Sequence, residues 1–159
     1  MSFEAIYADY WQRVFRLCMG YVNDHDLAKD LAQDTFIAVW QQLPSFRQEA
    51  AIGTWIYRIA ANICLRHIEK IKRHPKAPWP TNLKEEHAEN HEPRIQFLYR
   101  CIAELPDLDR IIIGLELENV KQAEIATIVG ITDANVRVRL HRIKEKITQK
   151  FKNNGFFNN

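Results

Sequence analysis

The segment from Ile131 to Ile147, ITDANVRVRLHRIKEKI, brings cationic, amide and imidazole side chains together at helical spacing. Arginine pairs with guanine edges and phosphates, and asparagine pairs with adenine. The chemistry predicted here is therefore recognition of nucleic acid by hydrogen bonding, with no covalent bond made or broken. The residues assigned to this surface are Thr132, Asp133, Ala134, Asn135, Arg137, Val138, Arg139, His141 and Arg142.

The apolar residues of the same segment indicate which side faces outward. At about 100° per residue, Val136, Leu140 and Ile143 fall on one stripe, which we expect to be buried. Val138 then lies on the opposite, solvent-facing side between two arginines. An apolar residue in that position indicates a surface that a partner covers, although single exposed apolar residues are also common in proteins.

The residues before this segment complete a helix-turn-helix pattern. Ile125 and Ile128 are spaced to pack a short helix, Gly130 permits a sharp turn, and Thr132 can cap the next helix. The pattern predicts a recognition helix from Asp133 to Lys146. A purely structural helical hairpin would share this packing, but it would not need arginines and asparagine crowded onto one element. We therefore expect the module to bind duplex DNA.

A second polar surface lies on a long helix predicted from about Ile52 to Arg73. An aromatic residue followed by cationic and amide groups is typical of a track for single-stranded nucleic acid, where bases stack and phosphates pair with arginine. A tryptophan that covers the edge of the core beside a solvated basic face explains the pattern equally well. The residues assigned here and in the preceding loop are Phe46, Arg47, Gln48, Glu49, Trp55, Arg58, Asn62 and Arg66.

A third surface lies on a helix predicted to begin after Asn23 or Asp24 and to end before Pro44. Small and apolar residues define its buried face. The opposite stripe is polar and acidic with one isoleucine in its centre, and a single exposed isoleucine is ordinary. The residues of this stripe are Asp30, Gln33, Asp34, Ile37 and Gln41.

The composition favours an all-α fold. The chain has 159 residues, of which 47% are hydrophobic and 26% charged, and its apolar residues recur at helical spacing. It has no apolar run long enough to cross a bilayer and no signal-peptide pattern, so we expect a cytoplasmic protein without membrane insertion. Residues 118–159 hold eight lysines and arginines against four acidic residues. That excess favours a polyanionic partner, although a solvated helix face accounts for it too.

The chain divides into two small helical domains. Residues 74–92 hold three of the six prolines and no glycine, and they have little apolar periodicity. We therefore predict a first domain at 1–74, a flexible linker at 75–92 and a second domain, with the helix-turn-helix, at 93–159. We expect the linker to keep the two domains apart in the free protein.

No residue pattern indicates catalysis, a cofactor or a metal site. Cys18, Cys64 and Cys101 lie far apart in helical apolar patterns, which favours reduced core thiols. His87 and His91 lie in the predicted linker without a second pair of ligands, which favours solvated histidines. Paired carboxylates, a nucleophile with a nearby base and a phosphate-binding glycine loop are all missing from the sequence.

Three segments in one order carry a family resemblance. They are DLAQDTFIAVW, FRQEAAIGTWIYRIAANICLR and ELPDLDRIIIGLELENVKQAEIATIVGITDANVRVRLHRIKEKI. Over the length from Phe3 to about Phe151, the chain resembles the extracytoplasmic-function sigma factors of bacterial RNA polymerase. The resemblance implies a region-two domain that binds the beta-prime clamp helices and captures the melted minus-ten element. It also implies a region-four domain that reads the minus-thirty-five element and rests on the beta flap.

The resemblance assigns roles to the three surfaces. It implies that the acidic stripe binds polymerase, that the loop from Phe46 to Ile52 and the face with Trp55 capture the minus-ten strand, and that the recognition helix reads the minus-thirty-five duplex. It also implies an anti-sigma factor that restrains the protein. The chain has Gln48 where many relatives have glycine, and Val138 where relatives often have a small hydroxyl residue. The base specificity is therefore not carried over from the family.

Two other functions fit parts of the sequence. A conventional helix-turn-helix regulator would need an effector or dimer surface and would leave the polar face of the long helix unused. A helical adaptor that binds no nucleic acid would explain the acidic stripe but not the arginine-rich recognition helix.

Overall fold

The computed structural model describes residues 2–73 and 92–156, and all regular secondary structure in these residues is helical. This confirms the predicted fold class. Except for Glu92, the predicted linker falls outside the described residues, as do His87 and His91. The α-helices are α1 (Phe3–Val22), α2 (His25–Gln42), α3 (Ile52–Arg73), α4 (Pro93–Ala103), α5 (Asp107–Leu117), α6 (Gln122–Val129) and α7 (Asp133–Asn153), with a 3-10 turn at Leu43–Ser45 between α2 and α3.

Local side-chain caps set the starts of three helices. Ser2, Asp24 and Thr132 each accept a hydrogen bond from the backbone N–H three residues later, over 3.0–3.2 Å. Such a cap contributes about 1 kcal/mol to helix stability. Gly130 ends α6 with φ +77°, a conformation that glycine adopts without steric strain. The turn between α6 and α7 is therefore the one that the sequence predicts.

The C-terminal half of α1 is the centre of the fold. Leu17, Cys18, Met19, Gly20 and Tyr21 are all buried, so this part of the helix has no solvent-facing side. Helices α2 and α3 contact α1, and so do α4 and α5 from the second domain. A helix that is apolar all round must be covered all round. The two domains therefore share one continuous core.

Close apolar contacts join the domains. Leu17 packs directly against the backbone of Gly114, where an added Cβ atom would lie only 2.6 Å from Leu17 Cδ1. Ile102 packs beside Gly20 at ordinary van der Waals distance, with its methyl groups 3.9 Å from the position of an added Cβ. The glycine on α5 thus allows α1 and α5 to approach closely, because a Cβ at position 114 would clash with Leu17.

Two arginines add polar contacts across the same boundary. Arg16 donates to the Glu118 carboxylate from Nε over 2.9 Å and from Nη2 over 2.7 Å. This bidentate hydrogen bond raises the pKa of the Arg16 guanidinium above its ordinary value. Arg110 donates from Nη1 to the Tyr21 carbonyl oxygen over 3.2 Å. Both contacts require the two domains to lie against each other. We call this arrangement closed.

The prediction that the domains stay apart in the free chain is therefore wrong for this structure. The buried surface of α1 is not confined to one face, because Met19 and Gly20 are buried together with Leu17 and Tyr21. Two separate domains would leave part of this surface in water, and burying apolar surface is favourable by about 25 cal/mol per Å².

The recognition helix also differs from its prediction, because α7 continues past Lys146 to Asn153. Phe151 is buried near its end and contacts the ring of Phe97 on α4, with ring centroids 4.9 Å apart. Packing of this last turn against α4 explains the extra length.

We predict that Arg16→Ala loosens the contact between the domains. The side chain of Glu118 is only 7% exposed and would lose both hydrogen bonds, which costs about 1–3 kcal/mol. Urea denaturation should show a free energy of unfolding lower by about that amount. Energy transfer between dyes at Gln42 and Asn153 should fall. Arg94→Ala removes only an exposed ion pair and should change neither quantity, whereas a wild-type result for Arg16→Ala would contradict the prediction.

Candidate nucleic-acid and protein interfaces

The acidic stripe of α2 faces outward as the sequence predicts. All five of its residues are exposed, and we call them the α2 surface: Asp30, Gln33, Asp34, Ile37 and Gln41. The opposite side of the helix is buried in the core and includes a polar residue, Thr35. Its hydroxyl donates to the Leu31 carbonyl over 2.8 Å, which satisfies the group without help from another helix.

An apolar groove between α1 and α2 adjoins the α2 surface. Its volume is about 550 Å³, and it is lined by Phe3, Tyr7, Gln33, Phe36, Ile37, Trp40 and Gln41. Ile37 is 55% exposed, Trp40 63% and Tyr7 40%. Three large apolar side chains exposed in one place differ from the single exposures that are ordinary on protein surfaces. The α2 surface is therefore acidic at one end and apolar at the other.

The sequence reasoning missed Tyr7 and Trp40. Trp40 follows Ile37 by three residues, so the outward side of α2 carries a second apolar residue that periodicity alone could have found. Tyr7 could not be found in this way, because it lies on α1 and reaches the groove only through packing. Its ring stacks on Trp11 with centroids 5.2 Å apart and meets Phe36 of α2 edge-on at 5.1 Å.

The predicted single-strand surface combines one face of α3 with the loop before it. Arg58, Asn62 and Arg66 are exposed along α3, whereas Trp55 is half-buried against the core. The ring of Phe46 lies over Trp55 with centroids 4.6 Å apart and the planes 30° apart. The structure thus brings the two aromatic residues into one platform beside the cationic face. We call the eight residues assigned to it the α3 surface.

The loop before α3 forms a pocket beside this platform. The pocket has a volume of about 490 Å³ and is lined by Phe46, Gln48, Glu49, Ala50, Ala51 and Ile52. Gln48 has φ +58°, in the left-handed region, where a Cβ atom is strained. Glycine adopts this conformation readily, so the backbone suits the glycine that the family resemblance leads one to expect at this position.

The outward side of α7 agrees with the sequence prediction. Val136, Leu140 and Ile143 are buried, and Val138 is 48% exposed on the other side. We call the nine residues that the sequence assigns to this side the α7 surface. Besides Val138, its exposed members are Thr132, Asp133, Ala134, Asn135, Arg137, His141 and Arg142. The imidazole Nε2 of His141 lies 3.1 Å from a carboxylate oxygen of Glu145 one turn later. The N-terminal part of α7 therefore projects from the domain with its polar side chains outward.

Arg139 differs from the other two arginines of the α7 surface. It donates from Nη1 to Asp109 on α5 over 2.9 Å and from Nε to the Asn135 side-chain oxygen over 3.1 Å. Its side chain is 34% exposed, whereas Arg137 and Arg142 extend into solvent. The guanidinium of Arg139 is therefore already engaged by protein groups.

The cysteines belong to the core, as predicted. All three are free and buried. The sulfur atoms of Cys18 and Cys64 are 3.8 Å apart across α1 and α3. Their hydrogen bond and their burial raise the pKa of the Cys18 thiol well above its usual range, and burial raises the pKa of Cys101. Cys18 and Cys101 therefore stay protonated at neutral pH.

In residues 2–73 and 92–156, no group of three or more histidine, cysteine or acidic residues is placed to hold a metal ion. Among the same residues, no helix has both the length and the apolar character to cross a membrane.

The two domains match two different family models. Residues 6–74 match sigma-70 region 2, and residues 96–147 match sigma-70 region 4. The ECF RNA polymerase sigma-E factor of Escherichia coli K12 is 30% identical over 165 residues, covering 94% of this chain and 86% of that protein. The RNA polymerase sigma-H factor of Pseudomonas aeruginosa is 28% identical, covering 92% of this chain and 84% of the relative.

Two solved structures share the fold. The sigma factor RpoE of Bartonella quintana, in complex with the anti-sigma factor NepR, superposes with a TM-score of 0.79 at 18% identity, covering 94% of this chain and 96% of that one. CnrH, in complex with the cytosolic domain of CnrY, has a TM-score of 0.68 at 17% identity, covering 94% of this chain and 87% of that one.

Two helical domains, one of which has a helix-turn-helix with a cationic outer face, are typical of proteins that recognise DNA. Together with the family matches, they show that the chain belongs to the extracytoplasmic-function sigma factors of RNA polymerase. It is a sigma factor for promoter-specific transcription initiation. Sigma factors bind RNA polymerase and are non-catalytic regulators.

We predict that Gln48→Gly stabilises the protein. The left-handed conformation costs a residue with a side chain about 1–2 kcal/mol, and glycine avoids this strain. Glycine also has more conformational freedom in the unfolded chain, which reduces the gain in stability by about 0.5–1 kcal/mol. The free energy of unfolding in urea should therefore rise by about 0.5–1 kcal/mol. Glu49→Gly, at a neighbouring loop position without a positive φ, should lower it instead. A lower stability for Gln48→Gly would refute the strain at this position.

Proposed function

We propose that the α2 surface and its groove bind the beta-prime clamp helices of core RNA polymerase. Ile37 and Trp40 supply an exposed apolar contact, and the carboxylates of Asp30 and Asp34 can pair with basic groups of the partner. Large aromatic anchors beside complementary charges are the usual source of affinity in protein interfaces. This exposed groove in the region-two domain is the observation that carries the proposal.

The α3 surface captures the melted minus-ten strand in this proposal. The platform of Phe46 and Trp55 offers a ring face on which an unstacked base can lie, and the pocket beside it has room for one. Arg58 and Arg66 lie farther along the same face and can pair with phosphates. Aromatic stacking beside cationic groups suits single-stranded DNA, which polymerase creates when the promoter melts.

The α7 surface reads the minus-thirty-five element as duplex, while the region-four domain rests on the beta flap. The N-terminal turn of α7 is exposed and begins at the Thr132 cap. Free N–H groups at a helix N-terminus can donate hydrogen bonds to a phosphate. Arg137 and Arg142 can reach guanine edges or phosphates, and Val138 can contact a thymine methyl group. Contact with DNA would explain why a valine is exposed between arginines.

The closed arrangement of the domains supports a further part of the proposal. The two promoter elements lie more than two turns of duplex apart, which is ~70 Å or more. A compact chain of this length has a radius of gyration of only about 15 Å. The domains must therefore separate before both elements are bound. We propose that an anti-sigma factor holds the closed form, since the structurally similar sigma factor RpoE is bound to the anti-sigma factor NepR.

The site of action follows from these partners. Core polymerase and promoter DNA meet in the cytoplasm, where we propose that the protein works without a cofactor. A transcription assay with the full chain and core polymerase tests the whole proposal, and new transcripts from a dependent promoter are the expected result. A conventional helix-turn-helix regulator would bind DNA without giving core polymerase a new start site. A helical adaptor would not bind DNA.

We predict that Asp34→Arg weakens binding to core polymerase by several-fold or more. The side chain is exposed, so the fold should survive, while the reversed charge opposes basic groups on the partner. Affinity would be measured by competition for labelled core polymerase, with helicity checked by circular dichroism. Asp9→Arg is the matched control, because it makes the same charge change on an exposed part of α1. Equal affinities for wild type and Asp34→Arg would remove this assignment.

We predict that Val138→Ser changes base preference while Arg142→Ala lowers affinity. Serine removes the apolar contact with thymine but leaves the arginines intact, so the preferred base should change at one or two upstream positions. Arg142→Ala should cost about 1–3 kcal/mol if Arg142 contacts a guanine bidentately, or weaken all sequences alike if it meets phosphate. Selection from randomised upstream elements at fixed salt separates these results. Identical sequence logos for wild type and Val138→Ser would show that Val138 is only a tolerated surface residue.

A further inference from the structure

Asn135 lies in the exposed first turn of α7, but its side chain is not free to turn. Its amide oxygen Oδ1 accepts the hydrogen bond from Arg139 Nε over 3.1 Å. Arg139 is in turn held by Asp109, whose Oδ1 lies 2.9 Å from Arg139 Nη1. The Asp109 side chain is 18% exposed, so the ion pair is partly shielded from water. One carboxylate on α5 thus determines the position of a side chain on α7.

This arrangement decides which atoms Asn135 presents to its surroundings. A guanidinium carries only donors, so the oxygen of the amide, and not its nitrogen, must face Arg139. The amide NH₂ group of Asn135 is then the part directed away from Arg139. The backbone at this position is also held, because the Asn135 N–H donates to the Thr132 hydroxyl over 3.1 Å. Asn135 is therefore presented as a hydrogen-bond donor.

A donor distinguishes the two purines in the major groove. Guanine shows two acceptors there, N7 and O6, whereas adenine shows the N7 acceptor and the N6 amino donor. An asparagine that pairs bidentately with adenine must turn both Oδ1 and Nδ2 towards the base. Asn135 would have to break its bond with Arg139 to do so. Its two amide N–H groups can instead meet both acceptors of guanine.

We propose that Arg139 is a positioning residue for promoter specificity, which sets Asn135 to select guanine over adenine. The inference rests on the proposed function, in which α7 reads the minus-thirty-five duplex. It gives Arg139 a role distinct from that of Arg137 and Arg142, because Arg139 acts through another side chain and need not touch DNA. Asp109 completes the arrangement from outside the recognition helix.

The test uses polymerase holoenzyme reconstituted with the full chain and a promoter library randomised in the upstream element. Asn135→Ala identifies the base pair that depends on Asn135. At that base pair the wild type should prefer guanine to adenine, and Arg139→Lys should lower the ratio about tenfold. Lysine can keep an ion pair with Asp109, but it has a methylene group where arginine has the Nε donor. Asn135 is then free to turn its oxygen towards adenine.

Two further variants make the result specific. Arg139→Met removes both hydrogen bonds and should change the ratio as Arg139→Lys does, whereas only Arg139→Met should lower the stability of the domain. The double variant Asn135→Ala/Arg139→Lys should show no change at this base pair beyond that of Asn135→Ala. A merely structural role for Arg139 would change affinity for all sequences and leave the ratio unaltered.

The outcomes separate the inference from the proposed function. An unchanged ratio in Arg139→Lys, a wild-type preference for adenine, or a logo with no position dependent on Asn135 would overturn the inference while sequence-specific binding remains. A wild-type holoenzyme without any upstream sequence preference would overturn the proposed role of α7, and the inference with it.

Discussion

The structure depends on the need to cover the second half of α1. From Leu17 to Tyr21 this helix has no polar side, and all of its side chains there are buried. Helices α2 and α3 cover one part of that surface, and α4 and α5 cover the rest. Fully burying a leucine or a residue of similar size contributes about 1.5–3 kcal/mol, so leaving half of this helix in water would be a large loss for a chain of this size. Helices of the region-four domain thus complete the core around α1 of the region-two domain.

Closure of the domains leaves the functional surfaces open. The α2 surface, the cationic residues of α3 and the N-terminal part of α7 are all exposed in the closed form. The closed arrangement therefore limits how far the two domains can reach, while each surface remains accessible to a partner. The boundary combines apolar contacts with the half-exposed Arg16 at its edge. A partner that competes for these contacts can shift the equilibrium between closed and open forms by its preference for one of them.

The α2 surface and the α7 surface carry opposite charge. The α2 surface is acidic and lies beside an apolar groove, whereas the α7 surface is cationic around one exposed valine. A polyanion such as DNA is attracted to the second surface and repelled by the first. Electrostatic complementarity of this kind favours the correct partner at each surface and opposes the wrong one. The proposed partners, polymerase and promoter, therefore fit separate surfaces of the protein.

Much of the fold and the outward faces could be predicted from the sequence because they depend on neighbouring residues. Helical periodicity predicted that Val136 and Leu140 are buried and that Val138 is exposed, and the cap at Thr132 follows from a hydroxyl before a helix. The roles of the three surfaces in binding polymerase and DNA remain predictions, since exposure alone does not identify a partner.

What only the tertiary structure decided involves residues far apart in the chain. The closed domains, the addition of Tyr7 to the groove on α2, and the bond between Arg139 and Asp109 all require two elements at a defined distance. The left-handed backbone of Gln48 likewise depends on how the loop must return to α3. Periodicity reports which side of a helix is apolar, but it does not report which other helix covers that side. The sequence therefore determined the helices and their faces, and packing determined which faces meet.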